Sequence, residues 1–271
     1  MNINTNEQMQ NEIRRIFKIF KTSEGALRPH FILTGPSGSG KTHIMESMSS
    51  ECDLSMVEIN AAQLTKEGTA GNSLSKALVP LLSLPGKPVI CFVDEFDKLF
   101  ISGNNNSELA HEVTNGVQNE FLKVLESKTT SVFGDFGKYL ETDISRVLFI
   151  FAGAFNGEED ITLDKLRMFG VKTEFLGRVG LAYGTKKYSL EYMLQILRTS
   201  ELLNSYLQLM PKANREHAIS TISEYISISY ENNTIGARLI NTLIHQYFIK
   251  GGVLNADSVK KIAFQKTIDL N

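Results

Sequence analysis

The sequence of 271 residues contains no tryptophan, only two cysteines and only six prolines. Cys52 and Cys91 form no C-x-x-C pair, so we expect neither a disulfide framework nor a structural zinc site, and we predict a reducing compartment such as the cytoplasm. No run of about 18 apolar residues occurs, which excludes a membrane-spanning helix. The first residues are polar and do not resemble a secretory signal. Neither sign of charge predominates, and a net charge of −2 excludes a polycation that coats nucleic acid.

Hydrophobic residues make up 42% of the chain, which is enough for a large buried core. In the first two thirds of the sequence, short continuous apolar runs alternate with longer stretches of helical periodicity. Buried parallel strands have this continuous pattern because helices cover both faces of their sheet. The sequence therefore predicts an α/β fold with a doubly wound parallel sheet. The predicted strands are Phe31–Thr34, Met56–Ile59, Val89–Val93, Val147–Phe151 and Val179–Tyr183.

The hydrophobic pattern changes after Tyr183. Apolar residues such as Leu190, Leu194 and Leu197 then recur at helical spacing, and no strand-like run of similar quality follows. We therefore predict an α/β domain over residues 1–184 and an all-helical domain over residues 185–271, with a hinge near Gly184. The alternative is that these helices pack onto the first domain and are part of it.

The most specific motif is a glycine-rich loop between the first predicted strand and a helical stretch. It has the form G-x-x-x-x-G-K-T, in the strand-to-helix context that a phosphate-binding loop requires. Glycines let the backbone approach phosphate closely, while the loop N–H groups and the helix N-terminus attract an anion. Lys41 is expected to reach the β- and γ-phosphates, and the Thr42 hydroxyl to bind Mg²⁺. The loop residues are Gly35, Pro36, Ser37, Gly38, Ser39, Gly40, Lys41 and Thr42.

Two acids, Asp94 and Glu95, directly follow the predicted strand Val89–Val93. Because the carboxyl ends of parallel strands meet at one edge of a sheet, we expect both carboxylates to lie beside the phosphate loop. Asp94 would hold Mg²⁺ through water there, and Glu95 would orient and deprotonate an attacking water. The pairing predicts hydrolysis of the nucleotide rather than nucleotide binding alone.

With these residues the chain resembles the AAA+ ATPases, and more closely their ClpX/HslU branch. Asp94-Glu95-Phe96-Asp97-Lys98 is similar to the branch's D-E-[IF]-D-K, and Gly236-Ala237-Arg238 is similar to the G-A-R of its helical lid. The matching motifs follow the order of the family over about residues 3–250. The remaining motifs are Asn6–Gln8, Val117–Glu126, Leu148–Phe155, and Phe169–Gly170 followed by Glu174–Arg178.

The resemblance implies an ATPase that uses ATP and Mg²⁺ at the interfaces between subunits of a ring, a hexamer in this family. It implies that Arg178 is the arginine finger, which reaches the γ-phosphate bound by the neighbouring subunit. It also implies that Arg238 is the second sensor, which contacts nucleotide from the lid. For the first sensor the sequence offers only Asn156, and we leave that role unassigned.

The sequence departs from the ClpX pattern in parts that handle substrate. The pore-loop stretch Gly68–Gly71 has Thr69 where the branch has an aromatic residue that grips polypeptide, so strong processive unfolding is not expected. Between Phe155 and Phe169 the chain is too short for the insertion that docks a protease ring, so no ClpP-like protease partner is expected. The stretch Thr130–Leu140 is interpreted as a reduced counterpart of a basic loop near the pore.

Three functions remain open. The first, which the resemblance favours, is an ATP-driven remodeller of a protein or protein–nucleic-acid complex that works without a protease. The second is a DNA-associated ATPase of the loader, partitioning or branch-migration type. The net charge does not favour it, and Lys260, Lys261 and Lys266 give only a weak basic patch. The third is a nucleotide-switched scaffold that assembles with ATP and hydrolyses it slowly.

Overall fold

The computed structural model describes residues 4–65, 71–100, 108–134, 137–158 and 161–254. Within this part of the chain, one compact unit comprises residues 4–36 and 40–186, and a second comprises residues 37–39 and 187–254. The domain boundary after residue 184 stays a prediction. Thr69 of the pore-loop stretch and the lysines of the basic patch (Lys260, Lys261 and Lys266) lie outside the described residues.

The described part of the first unit contains seven strands and six α-helices. The strands are β1 (Phe31–Thr34), β2 (Ser55–Asn60), β3 (Val89–Asp94), β4 (Thr129–Phe133), β5 (Tyr139–Asp143), β6 (Val147–Gly153) and β7 (Leu181–Gly184). The helices are α1 (Asn4–Thr22), α2 (Lys41–Glu51), α3 (Leu74–Ala77), α4 (Glu108–Glu126), α5 (Leu163–Met168) and α6 (Thr173–Val179). Five strands form one sheet in the order β2–β3–β6–β1–β7, and each neighbouring pair is parallel. The predicted α/β fold with a parallel sheet is confirmed.

The core of the first unit lies on both faces of this sheet. Phe31 and Ile90 pack with α1 and α2 on one face, whereas Ile32 and Cys91 pack with α4 and α6 on the other. Successive residues of a strand point to opposite faces, so a strand covered on both sides must be apolar at every position. All seven residues of β6 are buried for this reason. The continuous apolar runs of the sequence are the direct result of this arrangement.

The structure differs from the sequence prediction at two places in the first unit. Val179, predicted as the start of a strand, is the last residue of α6, which ends at Gly180 with a left-handed φ of 68°. β7 therefore begins two residues later, at Leu181. The stretch Thr130–Leu140, interpreted as a loop, belongs largely to an antiparallel hairpin of β4 and β5. The hairpin was missed because most of its residues are exposed, so no buried face marks its strands.

The described part of the second unit contains four α-helices, the first of which begins at Leu190. Its helices are α7 (Leu190–Thr199), α8 (Glu201–Leu209), α9 (Arg215–Ser229) and α10 (Arg238–Ile249). Ser189, Ser200 and Asn214 each cap a helix by accepting a backbone N–H with the side-chain oxygen, a contact worth about 1 kcal/mol. The helices enclose a core of their own, which includes Met193 and Leu243. Among the described residues of both units, no helix is long and apolar enough to cross a membrane.

A buried histidine joins β1 to β6 at the start of the sheet. His30 is 6% exposed, and its Nδ1 accepts a hydrogen bond from the Phe149 N–H at 3.0 Å. Burial and, to a smaller extent, the nearby Arg28 charge together lower the pKa of His30 to about 4. His30 is therefore neutral in the folded protein at neutral pH, and its role is to accept a backbone hydrogen bond.

We expect His30 to make the protein less stable in mild acid. In the unfolded chain His30 binds a proton near pH 6.5, whereas in the folded chain it does so only near pH 4. The unfolded state thus binds more protons in this interval, and the free energy of unfolding should fall by about 3 kcal/mol as the pH is lowered through it. Urea denaturation between pH 7 and pH 4 measures the loss. His30→Asn retains an acceptor without titrating and should show a smaller loss; identical pH slopes would contradict the prediction.

Candidate functional site

The phosphate loop lies between the end of β1 and the start of α2, as the sequence predicts. Its first residue, Gly35, has a φ of 141°, and a Cβ there would lie 2.0 Å from Oγ1 of Thr185. Thr185 is fully buried and donates both its N–H and its hydroxyl to the Thr34 carbonyl oxygen, at 2.8 and 3.1 Å. Only glycine fits at position 35, since the backbone of residue 185 closes the space beside it. Thr185 thus fixes where the loop begins, and no local sequence signal marks this contact.

Lys41 and Thr42 open helix α2 and carry the side chains that the sequence predicts for binding phosphate and Mg²⁺. The Lys41 Nζ donates to the carbonyl oxygens of Gly35 and Pro36, at 2.7 and 3.1 Å, which holds the ammonium group over the loop. The Thr42 hydroxyl donates to Oδ2 of Asp94 at 3.4 Å. The structure therefore brings the helix end of the loop and the end of β3 together.

Asp94 and Glu95 differ in burial and in orientation, although they are adjacent. Asp94 is the last residue of β3 and is partly buried, and its Oδ1 accepts the Glu95 N–H at 2.8 Å. Glu95 has a left-handed φ of 54° and is exposed. Because the backbone turns at Glu95, its side chain leaves the strand direction, and its carboxylate is open to solvent beside Asp94. The left-handed conformation is uncommon for residues other than glycine, and where it occurs it is often found at functional sites.

The oxygen donors at this edge of the sheet fit Mg²⁺. Mg²⁺ prefers hard oxygen ligands and is commonly held by one or two protein oxygens together with phosphate and water. Thr42 Oγ1 and Asp94 Oδ2 supply a hydroxyl and a carboxylate oxygen within 3.4 Å of each other. Lys41 directly precedes Thr42 in the sequence, and its ammonium group contacts the carbonyl oxygens of the loop. The residue set thus suits a magnesium–nucleotide complex.

Glu58 adds negative charge to this region, and the sequence analysis did not identify it. It lies on β2, two residues before Asn60, which pairs with Asp94 in the sheet. Burial raises the pKa of Glu58, and the charges of Asp94 and Glu46 raise it further. Three carboxylates therefore create a negative potential that would attract a cation. A signal was present in the sequence, because Glu58 interrupts an otherwise apolar strand.

Arg178 occupies the last turn of α6 and is held by two contacts. Its Nη1 donates to the Glu174 carbonyl oxygen at 2.8 Å, and its Nη2 forms an ion pair with the Glu126 carboxylate. The Arg178 side chain is 35% exposed. It therefore presents a cation at the surface of the first unit, where a second molecule could reach it.

Arg238 lies in the second unit, at the first position of α10, and is exposed. The second unit also includes residues 37–39 of the phosphate loop. Within it, the Ala237 N–H donates to the Gly38 carbonyl oxygen at 3.1 Å. Arg238 therefore directly follows a residue that contacts Gly38 of the phosphate loop. Asn156, the first-sensor candidate, is exposed after β6 and has a left-handed φ of 58°.

The comparisons with known proteins agree with this geometry. Residues 31–171 match the model of the ATPase family associated with various cellular activities (AAA). Two similar proteins are the ATP-dependent Clp protease ATP-binding subunits ClpX of Borrelia duttonii (strain Ly) and Borrelia recurrentis (strain A1). Each is 25% identical over 313 aligned positions, which cover 96% of this chain and 72% of the relative. The family model spans more than half of the chain, including the phosphate loop, Asp94 and Glu95, so the chain belongs to the AAA family and is a ClpX-like AAA+ ATPase.

Proposed function

We propose that the protein is a ring-forming ATP-driven motor that remodels a protein or protein–nucleic-acid complex and works without a partner protease. The observation that carries the proposal is the contact of Thr42 with Asp94 beside the exposed carboxylate of Glu95. The contact supports the proposal because residues expected to bind phosphate and to activate water then share one edge of the sheet. The similarity to ClpX over most of the chain supports remodelling as the use of that hydrolysis.

Each residue of the candidate site has a distinct task in this proposal. The N–H groups of Gly35–Gly40 bind phosphate oxygens, and the Lys41 ammonium neutralises charge on the β- and γ-phosphates. Thr42 would bind Mg²⁺ directly and Asp94 would hold it through water, and the ion would supply positive charge to the phosphate oxygens. Glu95 accepts a proton from the water that attacks the γ-phosphorus. Its exposure suits this task, because water must reach the carboxylate.

The two arginines extend the site beyond the first unit. Arg178 donates to the γ-phosphate held by the neighbouring subunit and stabilises the charge that develops on it. Arg238 contacts the nucleotide of its own subunit from the helical unit. Loss of the γ-phosphate removes both contacts, and the helical unit then rotates about the hinge near Gly184. Hydrolysis depends on assembly, since an isolated subunit lacks its neighbour's arginine, and we propose a hexamer.

The proposal that the motor works without a protease partner is based on the sequence after β6. The alignments with ClpX are longer than this chain, so the relatives have residues without a counterpart here. We propose that the short segment between Phe155 and Phe169 is one place where this chain lacks residues that the relatives have. Thr69 in place of an aromatic residue supports gentle or partial remodelling rather than processive unfolding. Both cysteines are free thiols, which suits the cytoplasm as the place of action.

Lys41→Ala is expected to weaken ATP binding about 100-fold, since a charge-assisted hydrogen bond to phosphate contributes about 3 kcal/mol. Titration with a fluorescent ATP analogue measures the Kd. Lys21→Ala is the matched control, because Lys21 forms only an exposed contact with Cys52 and Asp53 at the end of α2. Retained tight ATP binding by Lys41→Ala would show that the loop is not the nucleotide site.

The steady-state ATPase rate with and without DNA tests the proposed function against its alternatives. The purified chain should hydrolyse ATP at a rate that neither duplex nor single-stranded DNA changes, with Glu95→Gln as the blank. A rate that rises several-fold with DNA would instead identify a DNA-associated ATPase. Assembly on ATP with almost no turnover would identify a nucleotide-switched scaffold. If the rate is independent of DNA, the substrate can be sought by trapping. Glu95→Gln assemblies that hold ATP should retain the protein they bind, which can then be identified.

A further inference from the structure

The ion pair between Arg178 and Glu126 joins two helices at their C-terminal ends. Glu126 is the last residue of α4, and Arg178 lies in the last turn of α6. The carboxylate engages Nη2 of the guanidinium, while the Glu174 carbonyl oxygen accepts from Nη1. A guanidinium carries five N–H donors in a rigid plane, so contacts to both terminal nitrogens fix the orientation of that plane.

The position of Glu126 has no explanation within its own helix. The C-terminus of a helix carries a partial negative charge, so an acid at the last position is locally unfavourable. The pair is also poorly placed to stabilise the fold, because the Arg178 and Glu126 side chains are 35% and 50% exposed. Ion pairs with this exposure contribute little to the free energy of unfolding. A residue that breaks a local rule without stabilising the fold points to function.

Other contacts hold α6 against α4 without Glu126. The Lys172 Nζ donates to Oδ1 of Asn119 at 2.7 Å, at the opposite end of α6 from Arg178. Phe175 of α6 is fully buried in the same hydrophobic cluster as Phe121 of α4, and both rings contact the ring of Phe96, at centroid distances of 5.1 and 5.9 Å. The backbone that carries Arg178 is thus fixed by its core contacts. Removing Glu126 should change the direction of the guanidinium while leaving the helix in place.

We propose that Glu126 is a positioning residue for Arg178, which holds the guanidinium so that its outward N–H donors meet the γ-phosphate of the neighbouring subunit. This inference rests on the proposed function, in which Arg178 acts in trans. A misplacement of about 1 Å in a transition-state contact can reduce the rate about 100-fold, so orientation alone has a large effect. Glu126 itself touches no phosphate in this arrangement and acts only through Arg178.

The test compares Glu126→Ala and Glu126→Gln in the chain of 271 residues by steady-state ATPase kinetics. Glu126→Ala should lower kcat about 10-fold with little change in KM for ATP, since each subunit's own phosphate loop is intact. Glu126→Gln should recover part of the loss, because the amide oxygen still accepts an N–H from Arg178. Asn119→Ala is the matched control: it removes the contact between Asn119 of α4 and Lys172 at the start of α6, and it should leave kcat unchanged. Thermal denaturation midpoints should agree for all variants.

A double variant separates positioning from a general disturbance. Arg178→Ala with Glu126→Ala should be no slower than Arg178→Ala alone, because Glu126 has nothing left to orient. An additive loss, a wild-type kcat for Glu126→Ala, or a kcat above wild type would each overturn the inference. If Arg178→Ala is defective and Glu126→Ala is not, the inference fails while the proposed function stands. If Arg178→Ala keeps its full rate, the in-trans role fails, and the inference fails with it.

Discussion

Glu95→Gln is expected to reduce steady-state ATP hydrolysis by a factor of about 100 to 10,000 while ATP binding is retained, because general-base catalysis contributes an effect of this size. The glutamine side chain has nearly the same shape but does not accept a proton at neutral pH. The contacts that would hold the nucleotide complex are separate from Glu95. Thr42 pairs with Oδ2 of Asp94, and the Glu95 backbone N–H, which the substitution retains, donates to Oδ1.

Two measurements on Glu95→Gln separate binding from catalysis. Phosphate release gives the turnover rate, and titration with a fluorescent ATP analogue gives the Kd, which should remain within about threefold of the wild-type value. Glu51→Gln is a matched control, because Glu51 is an exposed acid at the end of α2 that pairs with Arg14. Its turnover should equal that of the wild type. If Glu95→Gln keeps more than about a tenth of the wild-type rate, Glu95 is not the general base.

The parts of the fold that the sequence predicted correctly are those with a strong local pattern. β1, β3 and β6 are continuous apolar runs because both faces of the sheet are covered. Lys41 and Asp94 could be placed together because Lys41 follows one central parallel strand and Asp94 ends another. The prediction that Val179 begins a strand was wrong, because Val179 is a buried residue at the end of helix α6. A short apolar run does not distinguish a buried strand from the buried side of a helix.

The contacts that the sequence could not predict join residues far apart in the chain. Glu126 and Arg178 meet only because α4 and α6 pack against each other around Phe175. Thr185 reaches the Thr34 carbonyl oxygen because β7 pairs with β1 in the sheet. No spacing or composition rule encodes either pair, and both depend on the completed fold. The motifs therefore locate the groups that do chemistry, whereas the residues that orient them become visible only in three dimensions.

Arg178→Ala is expected to lower the turnover rate at least about 1,000-fold in pure form, which is the lower range for loss of an arginine finger. ATP binding should be nearly unchanged, because Lys41, Thr42 and Asp94 of the same subunit are intact. The expected loss is in kcat, since the proposed role of Arg178 is to stabilise charge that develops only during the reaction. Arg167→Ala is the matched control: Arg167 is an arginine of the same unit that pairs with Asp164 on α5, and its loss should leave the rate unchanged.

Mixing two inactive variants tests whether Arg178 acts on the neighbouring subunit. Lys41→Ala subunits bind ATP about 100-fold more weakly and stay nearly empty at ATP concentrations close to the wild-type Kd, but they still carry Arg178. Arg178→Ala subunits bind ATP but supply no arginine. In a ring of head-to-tail interfaces, an Arg178→Ala subunit next to a Lys41→Ala subunit regains a complete site. Random assembly of equal amounts should therefore restore about a quarter of the wild-type rate per subunit. Recovery requires the two residues to act from different chains, because within one chain neither variant contains both. A mixture as inactive as its components, although light scattering shows joint assembly, would mean that Arg178 does not serve the neighbouring site.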